Sequence, residues 1–319
     1  MNNTILVKVD GGIASQINFY VLGQLFAKKG YKVKYDITWF DINGFNVYNA
    51  KNGYSQSFNV YWDLPKIFPD LKIDIATKEE IYTFNKKYKV NDERALEFKP
   101  PMYIDGYNLT LGRQANTTCI YNSLKKYFNP IDLLSNKEFA TLANEIENSP
   151  SCGIHIRRGD LSQEHIVYGK PTSIEYFLKT IELANKLKPN LKLFLFSDDK
   201  RWVQDNLTPR IKQNYTLCDI STPENGYLDL YLLSKCKIII GSHGGMGLMA
   251  KLLADSNSIF ITPKNIPQYK SIDNIIMINW QAEEDTQVTK PLKIKFRYKL
   301  MLKLYYILRQ KLLAKFIIN

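Results

Sequence analysis

From residue 153 to residue 261 the chain repeats one pattern: a short apolar run, a polar or glycine-rich break, then apolar residues at helical spacing. The apolar runs are Gly153–Arg157, Leu191–Phe196, Lys237–Ile240 and Ser258–Ile261. Helices are expected at Ser173–Leu187, around Lys200–Asn206, at Asp229–Lys235 and from Leu248 to Leu253. Strands separated by helices pair through crossovers, and crossovers build a parallel sheet. All strands of such a sheet end on one edge, and ligands bind in the crevice outside those ends. Three of the ends carry chemistry: Arg157-Arg158-Gly159-Asp160, Ser197-Asp198-Asp199 and Gly241–Gly245.

The N-terminal region opens in the same way. Thr4–Val9 reads as a strand, Asp10–Asn18 as a turn into a helix, and Gly30–Asp36 as the end of that helix and a second strand. Phe19, Leu22, Leu25 and Phe26 give the helix its apolar face. This is a β-α-β unit without the three-glycine dinucleotide fingerprint, so it does not imply NAD. Residues 37–110 are aromatic and irregular, and Trp39, Tyr54, Tyr61 and Trp62 can stack on a sugar ring or fill a core. A helix is expected over residues 132–148, and Asn148-Ser149-Pro150-Ser151 is a plausible hinge. The division that follows is an α/β domain over residues 1–150, a Rossmann-like domain over 151–285, and a tail over 286–319.

Charge sharpens that division. The chain holds 43 Lys and Arg against 31 Asp and Glu, and nine of the cations fall in residues 286–319, which contain no acid. The remaining body, with 34 cations, is nearly neutral, which argues against a nucleic-acid-binding body. The four cysteines have no C-x-x-C spacing and read as reduced, mostly buried thiols rather than a zinc site. No secretory signal and no membrane-spanning apolar run is visible.

The residue types at the strand ends suit an anionic ligand. Arg157 and Arg158 present rigid guanidinium forks matched to phosphate oxygens. Gly241–Gly245 lies between strand and helix, where free N–H groups and the positive helix end favour a diphosphate. Ser242 can add a hydroxyl donor, and His243 can donate to phosphate or act as a base; a structural bond is the competing reading. His155 suits a buried bond or a contact near the nucleotide, and Asp160 can position an arginine or a sugar hydroxyl. Asp198 and Asp199 can hold ribose or base, with helix capping the alternative for one of them. Gly11 and Gly12 permit close approach to a ligand, or simply make a tight turn.

The string His155-Ile156-Arg157-Arg158-Gly159-Asp160 resembles the first signature of the α-1,2-fucosyltransferase family of GDP-fucose-dependent glycosyltransferases. Phe196-Ser197-Asp198-Asp199 followed by Trp202 is similar to the second, and Asp229–Lys237 is similar to the Asp-x-x-Leu-Met-Ser-x-Cys-Lys stretch of that family. Gly11, Gly12 and Gln16 partly match its N-terminal Gly-Gly-Leu-Gly-Asn-Gln segment, with Ala14-Ser15 in place of Gly-Asn. The third signature diverges: Gly241-Ser242-His243-Gly244-Gly245 stands where relatives carry Asn-Ser-Ser/Thr-Phe-Ser-Trp-Trp. The resemblance implies a GT-B-like fold, two Rossmann-type domains facing a central cleft, with the domain of residues 1–150 on the acceptor side and that of residues 151–285 binding the nucleotide sugar. It implies an inverting transferase that needs no metal, in keeping with the lack of any Asp-x-Asp motif, and it favours Arg158 for the phosphate. Candidates for the base are Asp10, His243 and Asp160.

The expected reaction is transfer of fucose from GDP-fucose to a hydroxyl of a surface glycan, O-antigen or capsule in type. One alternative is the same scaffold with another nucleotide sugar; another is a catalytically inactive glycan- or lipid-binding protein. In the tail, Met301, Tyr305, Leu308, Leu312 and Phe316 form a helical stripe with Lys299 and Lys303 roughly opposite. A basic amphipathic helix of this kind suits an anionic membrane surface, which places the protein in the cytoplasm at the inner face of the membrane. A helix packed on the body is the competing reading.

Overall fold

The computed structural model describes residues 2–43, 60–90, 95–105, 117–159, 161, 171–222, 224–263 and 272–278. Asp160, Tyr54 and the basic tail lie outside the described residues.

The first unit is a four-stranded sheet of β1 (Thr4–Lys8), β2 (Lys32–Asp36), β3 (Lys89–Val90) and β4 (Met102–Ile104), in the order β2-β1-β4-β3. Every pairing is parallel, with Thr4 opposite Lys32 and Lys8 opposite Asp36. Helix α1 (Ile13–Ala27) makes the β1–β2 crossover, and Gly23 leaves room for the Tyr35 hydroxyl, which donates to Tyr20 O at 2.9 Å. Helix α2 (Lys78–Lys87) begins with a capping box: Glu80 N–H donates to Thr77 Oγ1 and Thr77 N–H donates to the Glu80 carboxylate. The Thr-x-x-Glu spacing that signals it lies inside the stretch that reads as irregular by apolar pattern.

Two further helices connect the units: α3 (Thr118–Leu124) and α4 (Lys137–Asn148). The single helix expected over 132–148 is interrupted, because Asn136 leaves helical geometry and caps α4, accepting from Phe139 N–H at 3.0 Å. Asp132–Ser135 forms a separate short turn before it.

The second unit is a six-stranded, wholly parallel sheet in the order β10-β9-β8-β5-β6-β7. Its strands are β5 (Ser151–Ile156), β6 (Lys192–Ser197), β7 (Tyr215–Leu217), β8 (Ile238–Ile240), β9 (Ile259–Pro263) and β10 (Ile275–Ile278). Helices α5 (Ile174–Leu187), α6 (Tyr227–Ser234) and α7 (Met246–Leu253) carry the crossovers. Gly153, at the centre of β5, lets α6 seat on the strand: an added Cβ would lie 2.6 Å from Cys236 Sγ and 2.7 Å from Leu233 Cδ1.

Period-two alternation sorts the strands into layers. In β1, Ile5 and Val7 face one core and Leu6 another, where it meets Phe84 and Tyr103. In β6, Phe194 and Phe196 join Ile5 and Val7, while Leu193 and Leu195 turn to the outer core with Phe177 and Ile181. The inner core is therefore continuous from one sheet to the other, through α1, α6 and α7. Each large side chain fully buried there contributes about 1.5–3 kcal/mol, so the two units are held as neighbours by their shared interior. That contact brings the carboxyl edges of both sheets, with the loops that follow them, to the same side.

Candidate active site

The loops after β5, β6 and β8 are tied to one another by main-chain bonds. Arg157 N–H donates to Ser242 Oγ at 3.0 Å, and Arg158 N–H donates to Asp198 Oδ1 at 2.7 Å. Ser197 Oγ donates to Ile156 O at 2.8 Å and accepts from Asp199 N–H at 3.0 Å. Ser242 Oγ also lies 3.3 Å from His155 Nδ1, so the buried His155 makes the structural bond that was one of its two expected roles. Three strand ends thus form one rigid rim.

The two arginines have different surroundings. Arg158 is 6% exposed, and its guanidinium carbon stands 3.5 Å from the centre of the Trp202 ring. Arg157 is half-buried and lies against the β8 loop: a Cβ on Gly244 would sit 2.7 Å from its Nη1. Gly244 also has a φ of +120°, which favours glycine, and a side chain there would push the guanidinium aside. Of the two, Arg157 is the one set against the glycine loop, while Arg158, which the resemblance favours for the phosphate, stacks on Trp202. Arg157 reaches the glycine loop, and Arg158 is a buried stack behind it.

The β8 loop is fixed at both ends. Gly241 N–H donates to Ile261 O at 2.8 Å, Tyr176 hydroxyl donates to Gly241 O at 2.6 Å, and His243 N–H donates to Thr172 Oγ1 at 3.2 Å. Helix α7 then starts at Met246, and Gly245 at its N-cap offers no side-chain bond to the first-turn N–H groups. Those amides are the part of the loop suited to an anion.

Opposite this loop stands the turn of the first unit. Gly11 has a φ of +75°, Gly12 precedes α1, and a Cβ on Gly245 would lie 3.6 Å from Ala14 Cβ. Asp10, half-buried, joins β1 to this turn. Gln16 takes a different role from the ligand contact expected of it. It is fully buried; its Nε2 donates to Gly11 O at 3.1 Å and Tyr61 O at 2.8 Å, and its Oε1 accepts from Asp63 N–H and Leu64 N–H at 2.9 and 3.2 Å.

Asp199 is likewise a cap, accepting from Trp202 N–H at 3.0 Å, and Ser197 is spent between loops. Asp198 is exposed and also borders Gly159, where a Cβ would meet its Oδ2 at 3.1 Å. The structure therefore brings Arg157, Ser242, His243, Gly244, Gly245, Gly11 and Gly12 to one seam. Sequence reasoning missed Trp202 as the platform for Arg158, and Thr172 and Tyr176 as anchors of the β8 loop. Only Trp202 had a signal, three residues after Asp199. A cavity of about 500 Å³ lined by Asn190, Gln213 and Tyr215 lies elsewhere, at the amino ends of β6 and β7.

Behind the rim, Asp229 in the first turn of α6 is 8% exposed, and its Oδ1 has no hydrogen-bond partner among the described residues. Burial pushes its carboxyl up to about 6, against a smaller opposing pull from the Ser221 side chain.

Residues 126–284 match the profile described as glycosyl transferase family 11. The chain belongs to that family. The family span contains the whole second sheet and all three rim loops, and leaves the Gly11 turn outside. Over 112 residues the chain is 27% identical to the O-antigen biosynthesis glycosyltransferase WbnK of Escherichia coli, covering 32% of this chain and 36% of that protein. The match thus spans about a third of the relative's length. Among solved structures, the fucosyltransferase NodZ from Bradyrhizobium has a TM-score of 0.45 at 14% identity, covering 80% of this chain and 93% of that one. Heptosyltransferase II of E. coli, described as an ADP-heptose lps enzyme, has a TM-score of 0.44 at 12% identity, covering 86% and 90%.

Proposed function

We propose that this family 11 protein is an inverting glycosyltransferase that moves L-fucose from GDP-fucose to a hydroxyl of a surface-glycan acceptor, in α-1,2 linkage. The observation that carries the reading is the seating of the Arg157 guanidinium on the Gly244 turn, beside Ser242 and the free end of α7. In the reaction the bond between the sugar's C1 and the diphosphate oxygen breaks as an acceptor oxygen bonds to C1 from the opposite face. The departing diphosphate gains negative charge, which Arg157 and the loop N–H groups stabilise in place. The acceptor's proton passes to a base, for which Asp10, His243 and Asp160 remain the candidates. Arginine and backbone dipoles meet the charge in this reading without a divalent cation. The basic tail would hold the protein at the inner membrane face, near a lipid-linked acceptor.

A second reading keeps the scaffold and changes the donor sugar, because Ser242-His243-Gly244-Gly245 replaces the aromatic pair usual in relatives. Calorimetric titration with GDP, UDP, CDP and ADP, with and without EDTA, separates the two. GDP preference that survives EDTA supports the first, and preference for another nucleotide supports the second. No nucleotide binding overturns both.

A further inference from the structure

The cavity at the amino ends of β6 and β7 is lined by side chains with no part in the donor site. It holds about 500 Å³, and its lining includes Asn190, Lys192, Gln213, Asn214, Tyr215 and Thr216. Arg157 and Gly244 follow the carboxyl ends of β5 and β8. In a parallel sheet the two ends of the strands form opposite edges, so the cavity faces away from the donor loops. It also lies at the open side of the sheet, where β7 is the last strand.

The lining divides by what each group already does. Gln213 is a support: its Nε2 donates to Leu191 O at 3.0 Å, and its Oε1 accepts from Asn185 Nδ2 at 2.5 Å. Lys192 is engaged as well. Its ammonium is paired with the Glu145 carboxylate and stands 5.3 Å from the centre of the Phe194 ring. Asn190, Asn214 and Tyr215 differ from these. All three are exposed, Tyr215 to 43%, and their side chains make no hydrogen bond, ion pair or ring contact among the described residues.

The backbone under these three residues is nevertheless fixed. Asn190 has a φ of +60°, the left-handed region that asparagine enters more readily than most residues with a side chain. Leu193 N–H donates to Asn214 O at 3.3 Å, and Tyr215 pairs with Leu193 across the sheet. Two free amides and a free aromatic ring are thus carried by a turn and a strand that do not need them. Groups held ready in this way bind with less ordering cost than groups on a loose loop.

Their chemistry selects a ligand class. Lys192 is the one charged residue of the lining, and Glu145 already answers it, so neither an anion nor a cation finds an unpaired partner. A side-chain amide offers an acceptor oxygen and two N–H donors, which matches hydroxyls that both donate and accept. An aromatic ring beside such amides accepts the C–H face of a sugar ring. We propose that this cavity is a second, non-catalytic saccharide site, which holds a neutral stretch of glycan chain at the edge of the sheet remote from the donor loops. The proposal rests on the cavity alone; the transferase reading explains only why a glycan chain would be at hand.

The test is NMR shift mapping on the full chain labelled with 15N-asparagine, using isomaltotriose and a galactosyl-mannotriose as probes. The side-chain amide signals of Asn190 and Asn214, assigned by their loss in Asn190→Ser and Asn214→Ser, should move with at least one probe. Tyr215→Leu, which fills the space without an aromatic face, should weaken that binding about tenfold, and Tyr215→Trp should keep it. An unchanged urea midpoint in Tyr215→Leu controls for folding. Arg157→Ala should leave the saccharide shifts as they are. The proposal is overturned if neither probe moves the two amides, if Tyr215→Leu binds as well as wild type, or if Arg157→Ala abolishes the shifts, which would put the sugar at the seam. Failure to bind any nucleoside diphosphate would remove the transferase reading and leave these outcomes as decisive as before.

Discussion

The two glycine turns that meet at the seam are built from different materials. Around Gly11 the side chain that holds the turn is Gln16, fully buried, with its hydrogen bonds made to main chain. Around Gly244 the neighbour is Arg157, half-buried, with its guanidinium lying along the loop. A glycine pair before a helix marks where backbone comes close to something. Whether that something is a ligand depends on what the adjacent side chain has left to give. The first turn is held from within; the second keeps a guanidinium along its loop, the arrangement that the proposed donor site uses.

Substitutions can break that contrast. The largest effect is expected from Gln16→Ala, which strips the acceptor from Asp63 N–H and Leu64 N–H inside the core. Stability should fall by about 3 kcal/mol, read from the urea midpoint, with GDP affinity changed far less. Arg157→Ala should do the reverse: GDP binding weakens about 100-fold, the ~2.7 kcal/mol of a charged hydrogen-bonding group, while the urea midpoint holds. A Gln16→Ala protein that keeps its stability but loses GDP would erase the distinction. Gly244→Ala should weaken GDP about tenfold, by displacing the guanidinium and straining the turn.

The units also differ in how they treat a buried carboxylate, and this gives the smallest expected effect. Asp36, 1% exposed, accepts from Tyr103 hydroxyl at 2.6 Å and from Thr38 N–H and Oγ1 at 2.9 and 2.7 Å. Asp229 leaves Oδ1 unmatched and titrates at about 6, above the ordinary 3.8. Between those values the folded state binds the extra proton, so stability falls as pH rises from 3.8 to about 6, and above 6, where the carboxylate is ionised in both states, the full cost of burying it remains. Asp229→Asn should therefore raise the unfolding temperature at pH 8, by about 1 kcal/mol in stability, and give little gain at pH 4. Equal gains at both values would show that the carboxylate carries no such cost.

The second sheet was legible because its strands are long apolar runs separated by helices, and each run ends in residues too polar or too small to continue it. Four of its six strands could be read this way. β7 and β10 could not: Tyr215–Leu217 is too short for a periodic signal, and Ile275–Ile278 has no flanking helix pattern. In the first unit α2 was hidden because its helix is mostly polar, with Ile81 and Phe84 its buried residues; only the capping box announces it. At the site, the strand-end loops were legible by composition. The division of labour between Arg157 and Arg158 was not, since adjacent residues of one type differ only in which way the fold turns them.

Gly153 carries a consequence for how such a chain can change over generations. Leu233 and Cys236 occupy the space where its side chain would be, and β5 leads within four residues to Arg157. A larger residue at 153 would shift the strand and carry the arginine off the Gly244 turn. Such a replacement becomes tolerable only after positions 233 and 236 have shrunk, and shrinking them first opens a hole in the interior. Position 153 is thus coupled to a pair of positions far along the chain, and the placement of the guanidinium is protected by a residue that has no side chain at all.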